Sequence, residues 1–489
     1  MIRNLLINRS NGDAPALLGK VPFRYRELAR RALALTRLLP RGEREHVAIL
    51  LPNGGDFVAA LFGVFMAGMT AFPLNADMTA HELAPLLEYA DVRTVVTTRD
   101  KNALFRAIRQ PLHILFAEDL AEEQDTLPYP ETESPSPEEP LLLLSTSGTT
   151  GTPKLVQLTE RGFEYSVRAY IDKMDFGKYR QDEVRYFIAA PYSSVYGLLV
   201  LTVCLIRSFP VAVLEGSFSL PRFYLAVQEH AITHYEGGTL AAVLMDRTSD
   251  RPLPYQIRSL RYLGLAGSKI SADVLARLSA NFPDKEFWTG YGMTEASPLI
   301  AKPYKRMDPS KFASVGTALP GEKIRIAANG KLTDLPHVRG EIVVSGPNVM
   351  LGYYRNEEET KRTVRDGWLH TGDIGYLDEE GYLYLCGRIK NMILVRGFNV
   401  YPEEVEACIL GSGMAKDCVV YGESRDGDNE AVCADVVPAG SDVTSEELIA
   451  YCAEHLSEYK CPQTVVFVDR IQKTFTGKSK KDPRKHGID

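Results

Sequence analysis

An α/β fold, with helices covering a parallel sheet and a small α+β unit at the end, is predicted by three observations. Short apolar runs alternate with helical patterns in the first half of the chain. The texture changes to short alternating strands with turns from about residue 340. The last hundred residues carry their own set of strands and helices. A chain of 489 residues with 45% hydrophobic and 24% charged residues is long enough for more than one domain.

The elements follow in order. "HVAILLP" (46–52), "TAFPLN" (70–75) and "VRTVVTT" (92–98) read as buried strands separated by helices, which is βαβα order and argues for a parallel sheet. The most apolar window, "FVAALFGVFMAGMTAFPL" (57–74), is broken by Gly63, Gly68, Thr70 and Pro73, so it is expected to be a core helix running into a strand, not a membrane span. The acidic, proline-rich stretch 122–140 reads as an exposed connector, and "LLLLS" after it as a buried strand. Short strands follow from 340: "GEIVVSG", "GYLDEEGYLYLCGR" and "KNMILVRGFNV". In the last hundred residues strands are expected near 417–421, 431–437 and 464–468, and helices near 402–411 and 444–456.

A formal charge of -7 gives no global attraction for nucleic acid or an anionic membrane. The seven cysteines are odd in number and show no C-x-x-C spacing, so neither a disulfide framework nor a zinc site is indicated. No signal peptide is read at the N-terminus, where Asn4, Asn8 and Arg9 interrupt the apolar run. A cytoplasmic location is the expectation.

The apolar strand 141–145 leads into "STSGTTGTPK" (145–154). Gly148 and Gly151 let successive N–H groups converge on one point, while Ser145, Thr146, Ser147, Thr149 and Thr150 add hydroxyls and Lys154 a positive charge. The set forms a cradle for polyphosphate. It is not a Walker A loop, and "TGKS" (476–479) fails that pattern because Gln472 stands where its first glycine is required. In "YGMTE" (291–295), Tyr291 can stack on a purine, Thr294 offers a hydroxyl to phosphate and Glu295 an oxygen ligand for magnesium, and Gly292 is grouped with the nucleotide-binding residues. Asp373, on a turn after Gly372, is suited to accept ribose hydroxyls, and Arg388 can add a donor.

The ordered series "STSGTTGTPK", "YGMTE", "GYYRNEEET", "WLHTGDIG", "GRIKNMILVRGFNVYPEEVE" and "KTFTGK" resembles the adenylate-forming superfamily of acyl-CoA synthetases, luciferases and peptide-synthetase adenylation domains, over nearly the whole chain. The style is that of fatty and aromatic acid CoA ligases. The resemblance implies a large N-terminal domain of stacked sheets covered by helices plus a β-subdomain (1–389), and a small mobile α+β domain (390–489) hinged at Lys390. It implies Mg2+ and ATP-dependent conversion of a carboxylic acid to an acyl-adenylate, then transfer to the thiol of coenzyme A. Loading of a carrier-protein phosphopantetheine is the alternative. Lys478 would bridge carboxylate and α-phosphate, "LAGSK" with Gly267 and Ser268 would meet adenine, and Gly397 would lie beside pantetheine. Lys460, Lys480 and Lys481 could meet CoA phosphates. Tyr192, Ser194, Tyr196, Gly238, Trp288 and Met293 would form the acid pocket.

Six positions depart from the family pattern: Leu155 replaces a glycine, Glu160 and Ser194 stand where histidine is frequent, Ala266 replaces a glycine, Ser268 an alanine, and Gln472 the proline that usually precedes the last motif. "APYSSVYGLL" holds no acidic residue to pair an ammonium, whose burial alone is costly, so an acid without an α-amino group is expected, aryl or short-to-medium aliphatic.

Overall fold

The computed structural model describes residues 2–9, 12–40, 45–121, 135–146, 154–178, 180–213, 218–249, 254–267, 270–303, 307–395, 398–424 and 430–471. Two seven-stranded sheets form the first half. One runs Gly352–Tyr353, Lys154–Thr159, Pro140–Thr146, Thr70–Pro73, His46–Leu50, Thr94–Thr97, His113–Phe116. Its last five strands are parallel, as the βαβα order predicts, and Lys154–Thr159 and Gly352–Tyr353 close that edge antiparallel. The other runs Glu286–Thr289, Tyr262–Ala266, His234–Gly238, Tyr186–Ile188, Val211–Ala212, Pro15–Leu18, Phe23–Arg24, parallel up to its final hairpin.

Successive strand side chains point to opposite faces, and the cores follow that alternation. Val47 and Ile49 enter a core shared with Tyr186, Ile188 and Val211 of the second sheet, whereas Ala48 and Leu50 face a separate layer with Leu83 and Leu87. Helices Tyr25–Leu38, Gly55–Met66, Glu160–Met174 and Val195–Arg207 contribute to the shared core. In Gly55–Met66 every residue but Asp56 is buried, which accounts for the apolar window in the sequence. Among the described residues no helix is long and apolar enough to cross a membrane. The expected connector lies outside the described residues over 122–134.

The change of texture comes earlier than 340. A continuous run of antiparallel strands starts at Tyr291–Gly292 and includes Lys323–Ala328, Gly340–Ser345, Trp368–Leu377 and Leu383–Arg388. A last core gathers Ile393, Val400, Val405, Val420, Val432, Val436, Leu448 and Cys452. There the hairpin Ala415–Ser424 and Glu430–Pro438 takes Thr464–Phe467 as a parallel third strand under helices Pro402–Gly411 and Ser445–His455.

Two helices pack closely at Gly63. A Cβ there would stand 2.8 Å from the Ala32 carbonyl oxygen, on helix Tyr25–Leu38. Alanine improves helix propensity by about 1 kcal/mol, but the obstacle is backbone and the helices must separate, at about 1–3 kcal/mol or more. Gly63→Ala is therefore expected to lower unfolding stability in a urea titration; an unchanged or raised midpoint would contradict this packing.

Candidate active site

The buried carboxylate of Asp373, 6% exposed, organises one half of the site. Asp373 and Arg388 face each other on paired strands, and Arg388 Nε lies 2.7 Å from Oδ1. The Tyr291 hydroxyl, from the strand leading out of the second sheet, donates to Oδ2 at 2.7 Å. Three features of the local chain fix this geometry. Gly372 adopts φ of 70°, the left-handed region that favours glycine. Its N–H donates to Glu341 at 3.1 Å, and the Asp373 N–H donates to the Thr371 hydroxyl at 3.1 Å. Burial, then the Asp373 charge, push the Tyr291 phenol well above its ordinary pKa, so the proton stays on the tyrosine. Each carboxylate oxygen carries two acceptor sites.

The other half is built on the turn Thr294–Ala296. Gly292 allows it to close: a Cβ there would stand 1.9 Å from the Pro298 carbonyl oxygen, which accepts from the Met293 N–H at 2.8 Å. Asn348 Nδ2 donates to the Ala296 carbonyl at 2.8 Å, and the Met350 N–H to that of Glu295 at 2.8 Å. The Glu295 carboxylate, mostly buried, accepts from the Tyr353 hydroxyl at 2.8 Å. Lys154 Nζ lies 5.6 Å from the centre of the same tyrosine ring and 2.5 Å from the Glu359 carboxylate. Tyr353 thus joins Lys154 to the metal-ligand candidate Glu295, and Glu359 pairs with the lysine. The sequence reading missed both, although they lie in the quoted "GYYRNEEET".

Ser145 and Thr146 end the strand that leads into the expected phosphate loop and Lys154 begins the strand after it, with Thr146 opposite Lys154 in the pairing. Ser147, Gly148, Thr149, Thr150, Gly151, Ser268, Gly397 and Lys478 lie outside the described residues, as do Lys480 and Lys481. Gly267 has φ of 85°, and Lys390 occupies the single turn Ile389–Asn391 after the strand that carries Arg388. Partial burial, then the charges of Arg388 and Lys154, lower the Lys390 pKa while Asp373 opposes them. This places Lys390 in the field of the other site residues. Among the described residues no group of three metal-ligating side chains occurs. A lone Glu295 suits magnesium, which is usually held by one or two carboxylates and the substrate's phosphates.

The residues expected to form the acid pocket fall into two groups. Tyr192 and Trp288 are 1% exposed, Tyr192 edge-on to Phe57 at 5.6 Å and Trp288 edge-on to Tyr262 at 5.3 Å, so both are packed in the core and present almost no surface to a ligand. Ser194 caps helix Val195–Arg207, accepting from the Gly197 N–H at 3.1 Å and donating to the Pro191 carbonyl at 2.7 Å. Tyr196 and Met293 are half-buried, Gly238 exposed. The Tyr196 hydroxyl donates to Glu236, a buried carboxylate the sequence reading did not single out. An acidic residue inside the otherwise uncharged strand "HYEGG" was its signal. Two departures and one expectation find structural settings: Glu160 pairs with Arg3 at 3.1 Å, Leu155 is buried core, and Lys460 pairs with Glu404 at 2.7 Å.

A model of the AMP-binding enzyme family matches residues 7–354, and one of the AMP-binding enzyme C-terminal domain matches 404–478. The chain is 31% identical over 449 residues to the oxalate–CoA ligase of Arabidopsis thaliana, covering 88% of this chain and 86% of that one. It is 32% identical over 477 residues to a feruloyl-CoA synthase of Amycolatopsis sp, covering 94% and 93%. The structure of o-succinylbenzoate CoA synthetase (MenE) from Bacillus subtilis in complex with the acyl-adenylate intermediate OSB-AMP superposes with a TM-score of 0.86 at 26% identity, covering 99% of this chain and 98% of that one. The same enzyme has been solved with ATP and magnesium ion, with a TM-score of 0.84. The chain belongs to the AMP-binding enzyme family. Within it, the chain is an AMP-forming acid–thiol ligase, which activates its acid as an adenylate.

Asp373→Ala is expected to weaken ATP and AMP binding by about 1.5–3 kcal/mol, the range for hydrogen bonds to a charged group. Calorimetric titration of each nucleotide checks this, and an unchanged affinity in the folded variant would remove Asp373 from the nucleotide site.

Proposed function

We propose that this enzyme activates a carboxylic acid lacking an α-amino group, aryl or short-to-medium aliphatic, and transfers the acyl group to coenzyme A. The convergence of Asp373, Tyr291 and Arg388 with the cluster of Glu295, Tyr353 and Lys154 supports this reading most directly, because one half suits a ribose and the other a metal-bound polyphosphate. The names of the CoA-ligase relatives support the acceptor. Magnesium, when bound, would neutralise phosphate charge at Glu295. Lys154 would withdraw charge from the phosphates, and Thr294 would donate a hydroxyl to them. Lys478 would offset the repulsion between the incoming carboxylate and the α-phosphate, where charge builds up in the transition state. No protein nucleophile is required, because the acyl-adenylate is already an activated acyl group.

The same carbonyl must later meet a thiol, so Lys478 has to leave. In this reading the chain divides at Lys390 into 1–389 and 390–489, and the second part rotates about that residue to bring Gly397 to the pantetheine. The separate core built from Ile393 onward supports a unit able to move as a body. A cytoplasmic setting and CoA, not a carrier protein, complete the proposal; a thioester assay with CoA and with phosphopantetheinylated carrier separates the acceptors.

Proline at 390 fixes φ near -65° and removes an N–H. Lys390→Pro is expected to retain acid-dependent pyrophosphate exchange and lose thioester formation. Lys478→Ala should do the reverse, still converting supplied acyl-adenylate to thioester. Equal loss of both half-reactions in both folded variants would refute the division of roles.

A further inference from the structure

A buried charge cluster lies beneath the carboxyl ends of the second sheet. Glu236, Gly264 and Trp288 occupy one row across three parallel strands. Glu236 is fully buried and receives the hydroxyls of Tyr170 and Tyr196. Lys302, 2% exposed, lies 3.8 Å from its carboxylate and donates to the Tyr262 hydroxyl at 2.7 Å; that phenol also hydrogen-bonds Glu236. The ammonium sits 4.9, 5.4 and 5.8 Å from the ring centres of Tyr170, Tyr262 and Trp288. Gly264 makes room for this arrangement, since a Cβ there would stand 1.9 Å from Glu236.

Apolar residues of similar volume would often serve stability as well or better than a buried ion pair, so packing alone does not account for this one. Its position suggests a use. In open α/β sheets ligands bind outside the carboxyl ends of the strands. Just past this row come Gly238 and Gly267, and a Cβ on either would meet nothing within 4 Å, so open space lies at those strand ends. Tyr196, half-buried in the first turn of its helix, is the cluster member least enclosed. Its proton is committed to Glu236, which leaves the phenolic oxygen able only to accept. Lys302 already neutralises Glu236. An ammonium at this point would therefore leave the cluster with an excess positive charge, and a carboxylate would face lone pairs and a second carboxylate.

We propose that Tyr196, oriented by Glu236, is the specificity-determining acceptor of the acid pocket, selecting acids with a hydroxyl or other uncharged hydrogen-bond donor at the end remote from the reacting carboxylate. This rests on the acid-activation reading above and adds the class of acid.

The test is acid-dependent pyrophosphate release with matched acids on an aryl and a short alkyl frame, each bearing a terminal hydroxyl, methyl, ammonium or carboxylate group. On the frame that turns over best, kcat/KM for the hydroxyl acid should exceed that of its methyl counterpart by about tenfold or more, because a site built around a hydrogen bond rejects the analogue lacking it. Tyr196→Phe should bring that ratio close to one, through the hydroxyl acid alone. Glu236→Gln should reduce it as well. AMP titration of each variant verifies its fold. A wild-type preference for the methyl, ammonium or carboxylate member, or an equal loss on hydroxyl and methyl acids in Tyr196→Phe, would overturn the assignment while leaving acid activation intact. Pyrophosphate release with none of the acids would instead count against the acid class on which both readings stand.

Discussion

The site depends on a buried carboxylate held from two sides. Asp373 is nearly closed to solvent, and an ionised carboxylate there is tolerated only with partners. Arg388 supplies the opposite charge from the neighbouring strand, and Tyr291 a hydroxyl from the strand that leaves the second sheet. Asp373 and Arg388 stand on paired strands, and Tyr291 comes from a strand 82 positions earlier that belongs to another sheet. Their meeting therefore ties together two antiparallel sheets of the 291–388 region. A nucleotide bound there would stay in one place while other groups change around it, which is what a two-step reaction on a single carbonyl requires.

The phosphate side is fixed by packing that no single motif contains. Gly292 has no side chain because the Pro298 carbonyl occupies the place of one, and this tight turn delivers Glu295. Tyr353 then holds Glu295 by its hydroxyl and lies beside Lys154 by its ring. Tyr353 pairs with Val156, two residues past Lys154, so the strand that carries the lysine also carries the partner of its neighbour. Geometry is transmitted by backbone pairing, and the side chains add the chemistry.

Much of this was legible in the sequence, for identifiable reasons. The parallel strands at 46, 70 and 94 announce themselves as apolar runs between helices, and Asp373, Glu295 and Lys154 stand in short motifs whose residue types match phosphate, metal and ribose chemistry. What escaped depends on contacts between distant segments. Glu359 reaches Lys154 across 205 positions, and Glu236 meets Tyr196 and Lys302 from strands and helices whose juxtaposition no local pattern encodes. The antiparallel region was placed too late, near 340, because its first strands at 291 and 299 are short and apolar and resemble the parallel strands before them. Tyr192 and Trp288 read equally well as pocket walls or as core, since aromatic residue types serve both; only burial distinguishes them.

The central claim is that Tyr291 and Asp373 act as one unit in holding the nucleotide. A double-mutant cycle on AMP affinity, with Tyr291→Phe, Asp373→Asn and the combined variant, tests it most directly, because neighbours in one hydrogen-bond network couple by about 0.5–3 kcal/mol whereas independent sites add. The account predicts a coupling of about 1 kcal/mol or more, with the second substitution costing much less once the first is present. Strict additivity in folded variants would contradict it.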